Sequence, residues 1–199
     1  MRLVNIDEIY ELALNAKEEI WNQAQSLGRD VKIYLHWTAG RYTQAFDDYH
    51  ICITGDGRIF ASTDDFSSIL SHTWKRNTGA IGISLCCCYE ATTNDLGEFP
   101  PTAAQIETMA QVIATVANAL DLTIDINHVM THSEAADCMD GNYPHEPYGY
   151  FSTCERWDLL FLGTPESPSA VTSYYDPASG GAVLRGKANF YRNKWRGES

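Results

Sequence analysis

No run of about 18 apolar residues occurs in this 199-residue chain, which excludes a conventional membrane-spanning helix. The opening stretch, MRLVNIDEIYEL, sets acidic residues where a secretory signal would carry its apolar segment. The expectation is a protein made in the cytoplasm, with any export by another route. Basic residues are scarce: 14 Lys and Arg stand against 26 Asp and Glu, for a net charge of -12 and a pI of about 4.8. That balance argues against nucleic acid as the main partner, because phosphate binding rests on basic surface. It also argues against membrane insertion or nonspecific adhesion to anionic membranes.

What is present fits a globular domain with a modest appendage. The chain is 44% hydrophobic, enough for a sizeable core without a disulfide scaffold. Of six cysteines, Cys86, Cys87 and Cys88 lie together in the apolar run ISLCCCY. Free cysteine packs as a small hydrophobe. Successive residues of a strand point to opposite faces, so three in a row do not converge on one ion. Cys138 and Cys154 flank a loop and could pair in an oxidising compartment.

Hydrophobic spacing divides the chain into elements. Residues 7 to 27 read as a helix, with Gly28 as its stop. VKIYLHW (31–37) reads as a buried strand. DYHICITGDGRIFAS (48–62) reads as a hairpin about Gly55-Asp56-Gly57. GAIGISLCCCYE (79–90) reads as another buried strand. Thr102 caps a long amphipathic helix whose stripe is Ile106, Met109, Val112, Ile113, Val116 and Leu120. HVMTH (128–132) is a short strand, 133–153 a loop rich in Gly, Pro and Tyr, and CERWDLLFL (154–162) the start of a short helix. The predicted fold class is α/β, a central mixed β-sheet flanked by α-helices. It forms one domain over residues 1–162, with helix 7–27 packed on it. Residues 163–199 are read as a linker and a basic, aromatic tail carrying Arg185, Lys187, Arg192, Lys194 and Arg196. Such a tail is either solvated and partly helical or a contact for an anionic polymer.

Six histidines are candidates for chemistry, and two close apolar strands. His36 ends IYLH and His132 ends HVMTH, and strand ends are where α/β sheets place their sites. Asp158, in ERWDLL, is a third candidate ligand. Two imidazoles and a carboxylate suit catalytic zinc, which takes three protein ligands and keeps a fourth position open. Ligands spread over so long a stretch carry no local signature of their own.

The strings LHWTAG, DYHICITGDGRI, HTWKRNTGAIGISL, PPTAAQIETMAQVIATVANAL and THSEAA stand in the order and spacing of the type-2 N-acetylmuramoyl-L-alanine amidases. The resemblance spans roughly residues 31 to 162. That family includes phage lysozyme-type amidases and the peptidoglycan recognition proteins. The resemblance implies zinc (Zn2+) held by His36, His132 and Asp158, the third ligand being Cys in some members and Asp in others. It implies Tyr49 as a catalytic residue. It also implies Arg156 as an oxyanion donor, where Lys is commoner. Another branch carries Glu after IGI; here that residue is Ser84, which favours the tyrosine branch. His72 and Asn77 match a loop lining the substrate groove. Trp37, Trp74 and Tyr148 are candidates for stacking on sugar or stem peptide, against the simpler reading as packing. Glu134 is a candidate proton donor at the substrate, against the simpler reading as a solvated loop acid. His50 is expected to pack on the face opposite Tyr49, and His128 to be structural. The implied reaction is hydrolysis of the amide between N-acetylmuramic acid and L-alanine in peptidoglycan, as in a phage endolysin. A non-catalytic peptidoglycan-binding module of the same fold is the alternative.

Overall fold

The structure is a computed structural model and describes residues 1–140 and 157–197. Its first helix, α1 (Ile6–Ser26), begins where the sequence caps it. The Asn5 side chain accepts from the Glu8 N–H, and the Glu8 carboxylate accepts from the Asn5 N–H. Two otherwise unpaired backbone donors are thereby satisfied. α1 turns Ile9, Ala13, Ala16, Ile20 and Ala24 inward. The second long helix, α2 (Ala103–Ala119), starts on a capping box of Thr102 and Gln105 and lies against α1.

Six strands are described: β1 (Arg2–Val4), β2 (Lys32–Trp37), β3 (Ile51–Ile53), β4 (Ile59–Ala61), β5 (Ala80–Leu85) and β6 (Val129–Thr131). They form one mixed sheet in the order β1-β4-β3-β5-β2-β6. β2 pairs in parallel with β5 on one side, from Lys32 opposite Ala80 to Trp37 opposite Leu85, and with β6 on the other. β3 and β4 are the expected hairpin, antiparallel, with Gly57 of its turn at φ +84°. That left-handed backbone suits glycine. β1 is a three-residue strand on the edge of β4, too short to carry a readable alternation.

The period of two along each strand separates two faces. Ile33, Leu35 and Trp37 of β2, Ile51 and Ile53 of β3, and Ile81, Ile83 and Leu85 of β5 join one large core with the inner faces of α1 and α2. Tyr34 turns the other way, into a small cluster with Ala80, Met130 and Ala135. His36 shares that second face, two residues along from Tyr34.

Several boundaries differ from the sequence reading. The strand expected over 128–132 ends at Thr131, and His132 opens a short helix, α3 (His132–Ala136). Thr131 and Glu134 are its capping box, so the cap in THSE outweighs the apolar run before it. β5 stops at Leu85, and Cys88 beyond it has φ +66°. Residues 157–162 form turns rather than a helix, with Leu159 at φ +60°. Residues 154–156 lie outside the described residues. The stretch expected as a basic tail forms a helix, α4 (Gly180–Arg196), capped by Ser179 and packed along α2. Among the described residues no helix is long and apolar enough to cross a membrane.

Candidate metal centre

His36 is the penultimate residue of β2, β6 delivers His132 to the first turn of α3, and the turn after residue 157 delivers Asp158. The structure brings these three together. The Nδ1 atoms of His36 and His132 each lie 3.7 Å from Oδ2 of Asp158. One ligand atom from each residue falls within 4.8 Å of the others. The imidazole centroids are 4.9 Å apart with planes nearly perpendicular. All three side chains are buried. Tetrahedral ligands about 2.0–2.1 Å from a zinc ion would sit about 3.3 Å from one another. The two 3.7 Å pairs lie near that spacing, and the donor types fit Zn2+.

The far side of His36 is also built. Its Nε2 lies 3.3 Å from Oγ1 of Thr73, and that hydroxyl lies 3.0 Å from Nδ1 of His72. For Nδ1 of His36 to offer a lone pair to a metal, Nε2 must carry the proton and donate it to Thr73. The Thr73 hydroxyl then donates to Nδ1 of His72. Burial, reinforced by the charges of the neighbouring histidines, holds the His72 pKa well below the ordinary value. A neutral ring is what this arrangement requires. Room for it comes from Gly82 in β5: a Cβ there would stand 2.7 Å from the His72 ring.

His72 and Thr73 belong to a loop that covers this face of the sheet, and the loop is pinned at two points. Asn77 accepts through Oδ1 from the backbone N–H groups of His72 and Thr73. Arg76, fully buried, makes a two-pronged ion pair with Asp140, at 2.9 and 3.3 Å. Asn77, expected at the substrate, is thus engaged in shaping the loop. His72 is buried against the ligand cluster. Trp74, 38% exposed, is the aromatic that this loop presents outward.

Tyr49 is half-buried beside the cluster, its ring 5.1 Å from that of His36 and its hydroxyl donating to the Trp37 carbonyl at 3.3 Å. His50 is buried, with Nε2 donating to the Ser68 carbonyl at 2.8 Å and Nδ1 accepting from the Gly82 N–H at 3.0 Å. Two more residues expected at the substrate, Trp37 and Glu134, are placed otherwise. Trp37 packs in the main core, 5% exposed, because it continues the inward alternation of β2. Glu134 is neither a solvated acid nor open to substrate. It is buried, accepts from the Thr131 N–H, and is held by both terminal nitrogens of Arg185 at 2.7 and 2.9 Å. Arg156, Tyr148 and the Cys138–Cys154 pairing rest on residues outside those described. Thr73 and Gly82 were not singled out from the sequence, although both fall in the quoted string HTWKRNTGAIGISL.

Comparison with known proteins adds a family match. Residues 26–146 match the model of the N-acetylmuramoyl-L-alanine amidases. That range contains His36, Tyr49, Thr73 and His132, and it ends before Asp158. Among solved structures, the chain is similar to the Ph2119 endolysin from the Thermus scotoductus MAT2119 bacteriophage, at 17% identity and a TM-score of 0.41. That alignment covers 53% of this chain and 72% of the endolysin. The endolysin amidase LysCS from Clostridium intestinale URNW also aligns, at 17% identity and a TM-score of 0.39, over 53% of this chain and 70% of that one. So does an ectodomain complex of the peptidoglycan recognition proteins LCa and LCx bound to tracheal cytotoxin, at 17% identity and a TM-score of 0.38, over 57% and 82%. No curated protein sequence matches the chain.

Proposed function

Because the chain belongs to the N-acetylmuramoyl-L-alanine amidase family, we propose that it is a zinc-dependent amidase that cleaves the bond between N-acetylmuramic acid and L-alanine in peptidoglycan. The observation that carries this reading is the convergence of His36, His132 and Asp158 on one buried point, a donor set that suits catalytic zinc. When bound, Zn2+ supplies Lewis acidity, activating water and polarising a carbonyl oxygen.

The chain's own residues supply the rest. Thr73 holds His36 with Nδ1 facing the ligand cluster. The Tyr49 hydroxyl, on exchanging its long bond to the Trp37 carbonyl, donates to the carbonyl oxygen on which negative charge develops. Arg156 is assigned as a second donor to that oxygen. Always protonated, it donates hydrogen bonds without acting as a proton shuttle. Glu134 does not protonate the leaving amine, since Arg185 and the Thr131 N–H occupy its oxygens. Trp74 is assigned to stacking on the sugar or stem peptide at the rim. The activity belongs at the cell wall, in a lytic role of the endolysin kind, after release or delivery from the cytoplasm.

The test is chemical. Purified peptidoglycan is incubated with the protein, with and without a zinc chelator, and the new ends are identified. New alanine amino termini that disappear on chelation are expected. New reducing sugars would mean a glycosidase. Wall pull-down with no ends released would mean a binding module.

A further inference from the structure

Two of the three ligand-bearing segments are fastened by a part of the chain that the family match does not reach. α3, whose first residue is His132, is tied to the segment before and within α4 at several points. Arg185 grips the Glu134 carboxylate with both terminal nitrogens and also donates to the Val129 carbonyl at 3.0 Å. The Tyr174 hydroxyl meets the Ser133 hydroxyl at 2.7 Å and donates to the Asp137 carboxylate at 2.6 Å. The turn that carries Asp158 is seated in the same way. The Gly180 N–H donates to the Leu160 carbonyl at 2.9 Å.

Two adjacent glycines make this seating possible. A Cβ on Gly180 would stand 1.9 Å from the Leu159 carbonyl oxygen, and one on Gly181 would stand 2.1 Å from Oε1 of Glu134. Neither glycine has a left-handed backbone, so what is used there is the missing side chain. The first turn of α4 therefore presses against the residue that follows Asp158 and against the acid two residues past His132. Leu159 itself holds a left-handed φ of +60°, a conformation that persists only where the surroundings enforce it.

We propose that residues 174–185 are a positioning clamp for the metal centre, with Gly180, Gly181, Arg185 and Tyr174 setting the separation of His132 and Asp158. The clamp rests on the reading of the site as a metal centre. It acts through backbone and buried ties, so none of its residues touches substrate or metal.

Zinc affinity, measured by chelator competition at a temperature where each protein is folded by circular dichroism, is the readout, alongside the visible spectrum of the cobalt-substituted protein. Gly181→Ala is the sharpest variant, because alanine is the better helix former and a general weakening of α4 does not explain a loss. Gly181→Ala and Arg185→Met are each expected to weaken zinc binding by about tenfold or more, in the range seen when the supports of metal ligands are removed. The cobalt spectrum should change with them. Lys187→Met, which breaks the more exposed tie of α4 to Glu107, is expected to leave affinity and spectrum unchanged. Should Arg185→Met fail to fold, Tyr174→Phe removes one hydroxyl and keeps the ring. Folded Gly181→Ala and Tyr174→Phe proteins with wild-type affinity and spectrum would overturn the clamp and leave the metal centre standing. A wild-type chain that competes for no zinc would overturn both.

Discussion

Thr73 decides which nitrogen of His36 faces the ligand cluster, because its hydroxyl is the partner on the other side of the ring. Thr73→Val keeps the shape and removes that partner. Zinc affinity by chelator competition should fall about tenfold, with the fold unchanged. An unchanged affinity would mean that β2 alone orients His36. Tyr49→Phe tests a different step. It should retain zinc and lose turnover on peptidoglycan by about 100-fold, the usual effect of removing one oxyanion donor. An unchanged rate would place the donor elsewhere. At this scale the sequence was readable where a residue's role follows from its own neighbours. His36 and His132 each close an apolar run, and that pattern marks them. Glu134 was misjudged because its partner, Arg185, lies 51 residues away. Trp37 takes the simpler of its two readings, packing, because burial and not residue type decides whether an indole is available. Thr73 gave no signal of its own, since a threonine beside a histidine acquires meaning only when the loop folds over β2.

The loop over the site face depends on Arg76 and Asp140, both side chains wholly buried. Removing one charge of such a pair strands the other away from water. Arg76→Met is therefore expected to lower unfolding stability by about 3–5 kcal/mol, read as a lower midpoint in urea. A variant with wild-type stability would show that water or another group reaches Asp140. Long helices were legible because an apolar period sustained over many residues admits one interpretation. α1 and α2 also announce their starts by caps, Asn5 with Glu8 and Thr102 with Gln105. α4 was read as a tail because its inward positions are few, with Leu184 and Ala188 the buried apolar side chains among charges and exposed aromatics. β1, with three residues, is below the length at which alternation can be counted, and its existence is decided by its partner strand, β4.

At the scale of the whole molecule, buried bases link acidity to stability, and His50 is one of them. Burial pushes the His50 pKa down to about 4, opposed by its bond to the Ser68 carbonyl and by Asp65. An unfolded histidine titrates near 6.5. Between these values the unfolded chain holds the extra proton, so acidification favours unfolding. The stabilisation is complete above about pH 6.5 and is lost as pH falls toward 4, by roughly 3 kcal/mol. The bond pattern gives the reason: protonated Nδ1 would point a second donor at the Gly82 N–H. Unfolding midpoints in chelator from pH 7 to 4.5 should slope less steeply for His50→Gln than for the wild type. Equal slopes would remove His50 as the source. The strand order was not readable from the chain, since β2 and β5 meet across about forty intervening residues and no local pattern records that pairing. The two-faced sheet has a consequence for inheritance. Along β2, Ile33 and Leu35 hold the protein together, while His36 faces the cluster. A saturation library over these positions, scored for abundance and for lysis, would show the two penalties in alternate stripes. A lineage could then discard its chemistry at a single codon and keep a folded body.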